Sequence, residues 1–172
     1  LADELRQSSE DLTRVARSYV TTGNAEYERQ YWVILDIRNG RRPRPVEYNR
    51  IYWDLVLAPD YKPRPDGETI SLNDLMIREG FTDAEFLKLA EAQKNSDALV
   101  NTEIISINAV KGLFDDGTGH FTIKKKPDRE MALKLMTDEV YKKNKFIIMK
   151  PIDEFYVMFK ERTAKDVLAH KQ

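Results

Sequence analysis

Cysteine is absent from the 172 residues. That excludes disulfides, thiolate nucleophiles and cysteine-based zinc sites. It leaves the compartment open, because oxidising and reducing compartments both hold cysteine-free domains. No run of about 18 apolar residues occurs and mean hydropathy is −0.59, so the chain as given does not span a membrane. A dominant charge is missing as well. The net charge of −1 predicts neither a nucleic-acid partner nor strong attraction to a membrane surface. His120 and His170 are the only histidines, and neither has a carboxylate and a nucleophile beside it in sequence. There is no glycine-rich phosphate loop, nucleophile elbow or metal-binding histidine pair. No signal peptide is visible, and the first residues already read as helix, which is expected of a piece cut from a longer protein.

What is present is amphipathic helix. Apolar residues make up 41% and charged residues 33%, a mix that suits a solvated helical bundle. A chain of this length forms one domain, 1–172, and removes roughly 70% of its unfolded surface from water. The most informative stretch is 82–114. It opens with a capping box, Thr82 and Glu85, whose side chains satisfy each other's backbone N–H groups. Phe86, Leu89, Gln93, Ser96, Val100, Ile104 (or Glu103), Ile107, Val110 and Phe114 then recur at spacings of three and four. A helix of that length spans about 48 Å, longer than a compact domain needs.

Three further rods are predicted. The first covers 3–22, with Leu5, Leu12, Val15, Ala16, Tyr19 and Val20 on one stripe. Gly23 stops it, and Asn24 caps a second over 25–39, with Tyr27, Tyr31, Ile34, Leu35 and Arg38 inward. The last covers 138–170, with Tyr141, Ile148, Ile152, Phe155, Phe159 and Val167 on its stripe and a kink at Pro151. Segment 40–81 is broken by Pro43, Pro45, Pro59, Pro63 and Pro65 and reads as an ordered insertion. A short helix is expected there over 47–57, burying Ile51, Tyr52, Leu55 and Val56, and another from Ser71 to Gly80. The fold class is all-α, an elongated antiparallel four-helix bundle with an ordered insertion between helices 2 and 3.

The opening residues 5–24, with Tyr19-Val20-Thr21-Thr22-Gly23-Asn24 at the first turn, are followed by Ile34-Leu35-Asp36-Ile37-Arg38-Asn39-Gly40, Arg44-Pro45 and Arg50-Ile51-Tyr52-Trp53-Asp54. Asn95-Ser96-Asp97, residues 108–114 and residues 149–155 extend the pattern over nearly the whole chain. Together they resemble the all-helical extracytoplasmic sensor domains of bacterial transmembrane receptors. These comprise histidine kinases, chemoreceptors and nucleotide cyclases, and the first turn is similar to that of CHASE-type helical sensors. Asn24 stands where such domains more often carry aspartate. The resemblance implies a non-catalytic, periplasmic, ligand-sensing part of an inner-membrane protein, most often a sensor histidine kinase. It also implies flanking transmembrane helices and a homodimer. Its partner would be a small molecule or a periplasmic binding protein, with no cofactor, metal or nucleic acid. The alternative is a non-catalytic helical adaptor that binds a partner protein.

Candidate ligand residues are Arg38, Arg44, Tyr48, Arg50, Tyr52 and Trp53, where guanidinium forks and aromatic walls suit a small anion or planar molecule. Asn108 and Lys111 join them from the long rod. The competing reading of the first group is a solvated loop pinned by its aromatics. Glu103, Asn108 and Lys111 could point polar atoms into a bundle cavity, but the favoured reading is flank residues that bury only their stems. Asp115-Asp116-Gly117-Thr118-Gly119 lacks calcium-loop spacing and reads as a turn, and Lys124-Lys125-Lys126 as a solvated basic patch.

Overall fold

A computed structural model describes residues 1–49, 51–56 and 58–171. Arg50, Leu57 and Gln172 lie outside the described residues. The protein is all-α. Helix α1 (Ala2–Thr22) turns at Gly23, whose φ of 70° is left-handed, into α2 (Ala25–Arg38). Asn24 accepts the Glu26 N–H at 3.0 Å, so the cap operates as its residue type predicts. A 3₁₀ turn (Tyr52–Leu55) and α3 (Leu72–Arg78) follow, then α4 (Asp83–Val110), α5 (Arg129–Leu135) and α6 (Glu139–Lys171). The capping box at Thr82 and Glu85 is formed, with both reciprocal hydrogen bonds present.

Helix α4 ends before Phe114, which was expected to close its stripe. Gly112 takes φ 76°, and a Cβ there would lie 2.4 Å from the Lys125 carbonyl oxygen. The chain therefore leaves the helix at that point. Leu113–Phe114 forms β1 and pairs antiparallel with β2, Ile123–Lys124. An apolar pair at helical spacing serves a short hairpin equally well.

Side-chain contacts fix the order of neighbours. Helices α4 and α6 run in opposite directions. Glu85 meets Arg162 at 2.8 Å, Lys88 meets Glu154 at 2.9 Å, and Asn95 reaches the Ile147 carbonyl at 2.9 Å. Helix α1 lies against α6, with Tyr156 near Asp3 and Tyr141 near Thr13. Helix α2 lies against α4, with Arg38 on Ser96 and Lys111 on Glu28. The α1 stripe is buried as predicted, from Leu5 to Val20. On α6 the stripe is buried only through Phe155. Phe159 is 39% exposed at the start of α4, where Phe81, Phe155 and Arg162 cover only part of its ring, and Val167, five residues beyond the Arg162–Glu85 pair, is 48% exposed.

Pro151 lies inside α6 and cannot donate to the carbonyl four residues earlier, that of Ile147. Asn95 of α4 supplies the missing donor. A neighbouring helix therefore satisfies the break that the proline makes.

The insertion holds one turn of 3₁₀ helix where a helix over 47–57 was expected. Its backbone is spent on loop pairing: Arg44 N–H donates to Glu68 O, and Val46 N–H to Pro65 O, each at 2.9 Å. Tyr52 and Trp53 are buried, whereas Ile51 and Leu55, expected inward, are exposed. Tyr48, Tyr52 and Trp53 make a cluster of edge-on rings, and the Trp53 indole donates to the Tyr48 hydroxyl at 2.7 Å.

Candidate functional site

Arg38, the last residue of α2, is 4% exposed. Its Nη1 donates to Ser96 Oγ at 2.8 Å and reaches Ser8 Oγ at 3.5 Å, and its Nη2 donates to Asp97 Oδ1 at 2.7 Å. Its Nε–H has no partner among the described residues. The guanidinium thus joins α1, α2 and α4 and lines a chamber of about 40 Å³ between α1, α2 and the insertion. Ile34, Ile37 and Leu72 form its apolar wall; Gln7, Asp11, Arg44 and Tyr48 supply polar atoms. A second, wider groove of about 410 Å³ adjoins it, lined by Asp3, Glu4, Gln7, Tyr48, Asn49 and Ile51.

Arg38, Arg44 and Tyr48 therefore meet at one place, as their sequence positions suggested. Their charges do not stand free. Asp97 balances Arg38, and Glu4 pairs with Arg44. Burial raises the Tyr48 hydroxyl pKa, which keeps it protonated and able to donate.

Tyr52 and Trp53 line a different cleft of about 340 Å³, on the far side of the insertion, with Arg29, Arg42 and Lys62 at its edge. Arg50 lies outside the described residues. Asn108 and Lys111 sit elsewhere. Asn108 bonds back to the Ile104 carbonyl of its own helix at 3.0 Å, and Lys111 pairs with Glu28 at 2.6 Å. The structure does not bring these two to the chamber. In the turn at 115–119, Asp115 accepts Gly117 and Gly119 N–H groups and Asp116 accepts from Thr118 and Thr122. The carboxylates there are spent on their own loop, which is what a turn requires. Among the described residues no cluster suits a metal ion.

Two acidic groups escaped sequence reasoning or were undervalued by it. Asp11 was placed on no functional face, yet it is 6% exposed and lines the chamber. Gln7 Nε2 donates to its Oδ1 at 3.0 Å, and Arg14 approaches the same oxygen at 3.8 Å. Burial raises its pKa, and the Gln7 bond opposes that. The other is Glu103, read as alternative to Ile104 on the α4 stripe. It is 1% exposed. The hydroxyls of Thr13 and Tyr31 donate to it at 3.1 Å, and that of Tyr141 lies 3.0 Å away. Four helices thus meet at one carboxyl group, with Lys145 beside it on Thr13 at 3.2 Å. Burial raises the Glu103 pKa; the three hydroxyls and Lys145 oppose it. The only sequence signal was a polar residue at an apolar stripe position.

Comparison with known proteins finds no matching family model, no matching curated protein and no matching solved structure.

Proposed function

We propose that this chain is the extracytoplasmic ligand-sensing domain of a bacterial transmembrane signalling protein, a sensor histidine kinase. On this reading α1, α2, α4 and α6 form an elongated antiparallel four-helix bundle, with 40–81 as an ordered insertion. The domain itself does no chemistry. The observation that carries the reading is the chamber beside Arg38. A molecule seated there touches α1, α2 and the insertion at once, and Arg38 extends the contact to α4 through Ser96 and Asp97. A ligand alters an equilibrium only by preferring one arrangement, and a site shared by several elements gives it that leverage. The terminal helices α1 and α6 would carry the displacement toward flanking transmembrane helices, in a homodimer.

The absence of cysteine makes the test direct, because any introduced thiol is unique. Spin labels at the exposed positions Glu10→Cys and Val157→Cys report the spacing of α1 and α6. A metabolite screen by thermal shift identifies binders. A saturating binder should change the label distance distribution by an ångström or more. An unchanged distribution with every binder found would sink the sensor reading. The adaptor reading draws on the exposed apolar side chains of α6, among them Val140, Phe146 and Leu168, and gains if pull-down of a folded partner depends on them.

A further inference from the structure

Every charged side chain on the chamber wall already has its opposite. Asp97 balances Arg38, Glu4 balances Arg44, and Asp11 has Gln7 at 3.0 Å and Arg14 at 3.8 Å. A ligand with a charged head would bring a charge that no free counter-charge meets, and burying it is unfavourable. The wall therefore selects against carboxylate and ammonium heads alike.

What the wall has in surplus is hydrogen-bond donors. Among the described residues two buried side-chain atoms lack a partner, Arg38 Nε and Gln93 Oε1, and of these two residues Arg38 lines the chamber. A buried N–H left unmet is destabilising, so an acceptor that meets it gains affinity. Tyr48 adds a second donor. Its oxygen accepts from the Trp53 indole at 2.7 Å, and its own hydrogen has no acceptor among the described residues. Burial holds that proton on the hydroxyl. A carbonyl oxygen carries two lone pairs and no net charge, which answers both donors without upsetting the balance. Ile34, Ile37 and Leu72 give the chamber an apolar wall, and Tyr48 also lines the adjoining groove of about 410 Å³, which has room for a chain.

We infer that the chamber is a neutral-carbonyl site: an uncharged carboxamide or ester sets its carbonyl oxygen on the Arg38 Nε–H and the Tyr48 hydroxyl and lays its chain along the groove. This rests on the reading of the chamber as the ligand site and assigns that site its chemistry.

The test titrates the isotope-labelled whole chain with hexanamide, methyl hexanoate, hexanoate and hexylamine, which share a chain and differ in the charge of the head. Nuclear magnetic resonance follows the Arg38 Nε–H, assigned through bonds from its own backbone. The two neutral compounds should bind about tenfold or more tighter than either ion, and each should move the Arg38 Nε proton downfield. Arg38→Lys, which keeps a cation beside Ser96 and Asp97, should lose about fivefold or more in hexanamide affinity, as should Tyr48→Phe. An Arg38 Nε resonance that stays in place at saturation would overturn the inference without needing any variant. So would equal affinity for all four probes, which means that the chain alone is recognised, or no binding of either neutral compound at about 10 mM. Hexanoate or hexylamine binding more tightly than hexanamide, with a change in the α1–α6 label distance, would overturn the neutral head while leaving a sensor. Hexanamide binding that moves the Arg38 Nε proton but neither α1 nor α6 would leave the carbonyl site and remove the sensor.

Discussion

Asn95 and Pro151 should be energetically coupled although they lie on different helices. Pro151 leaves the Ile147 carbonyl without its helical donor, and Asn95 Nδ2 fills it at 2.9 Å. Asn95→Ala removes that donor. The net worth of such a hydrogen bond is about 1 kcal/mol, and this one is partly solvated, so the expected loss is about 0.5–1 kcal/mol. Pro151→Ala restores an amide at position 151 and with it the ordinary helical bond to Ile147. Interior proline costs about 3 kcal/mol relative to alanine, and the buried ring forfeits some contact, so a net gain of about 1–2 kcal/mol is expected. In that background Asn95→Ala should cost almost nothing, because the carbonyl is already satisfied. The double-mutant cycle therefore predicts a coupling of about 0.5–1 kcal/mol. Urea unfolding of the four proteins, followed by far-ultraviolet circular dichroism with equal m-values, measures it. Each kcal/mol corresponds to a shift of about 2–4 °C in Tm at this chain length. An Asn95→Ala cost that is the same in both backgrounds would refute the idea that Asn95 serves the proline.

Two further predictions concern the buried polar groups. The folded-state pKa of Glu103 lies above its unfolded value, so between the two the folded chain keeps a proton that the unfolded chain has released. Its contribution to stability therefore declines as pH rises through that window. Glu103→Gln should remove that share of the slope in unfolding free energy between pH 4 and 8, and a wild-type slope would refute the assignment. Arg38→Met should cost about 2–3 kcal/mol in urea unfolding, because Ser96 loses its buried charged donor and the α2–α4 tie is cut; a loss below about 0.5 kcal/mol would mean that solvent replaces it without penalty.

Helix boundaries were legible where a specific residue ends or begins the helix. Gly23, Asn24 and the pair Thr82 and Glu85 placed three helix ends to within a residue or two. The end of α4 was not legible, since Gly112 is followed by Leu113 and Phe114 at a spacing that suits helix and strand alike. The insertion misled for a related reason. Ile51, Tyr52, Leu55 and Val56 keep helical spacing, but the backbone bonds of Arg44 and Val46 to the loop at Pro65 and Glu68 govern the chain there. Of the candidate site, Arg38, Arg44 and Tyr48 were readable because α2 leads straight into the insertion. Asp11 was not, because it comes from α1 and its partner Gln7 reads as an ordinary surface residue. Periodicity records which face is inward; it does not record which polar groups on that face pair with one another.

The carboxyl of Glu103 has a mechanical consequence. It takes hydroxyls from Thr13, Tyr31 and Tyr141, one from each neighbouring helix. Axial sliding of α6 by one turn, about 5.4 Å, would carry Tyr141 out of reach and leave a buried acceptor short, at about 1–3 kcal/mol. Tilting about that point keeps the three hydroxyls within reach and strains instead the α4–α6 contacts at Asn95, Glu154 and Arg162. The node is therefore a fulcrum, and α6 beyond it is a lever arm. From Tyr141 to Arg162 that arm is about 31 Å at 1.5 Å per residue, so a tilt of about 5° sweeps its end through about 2.7 Å.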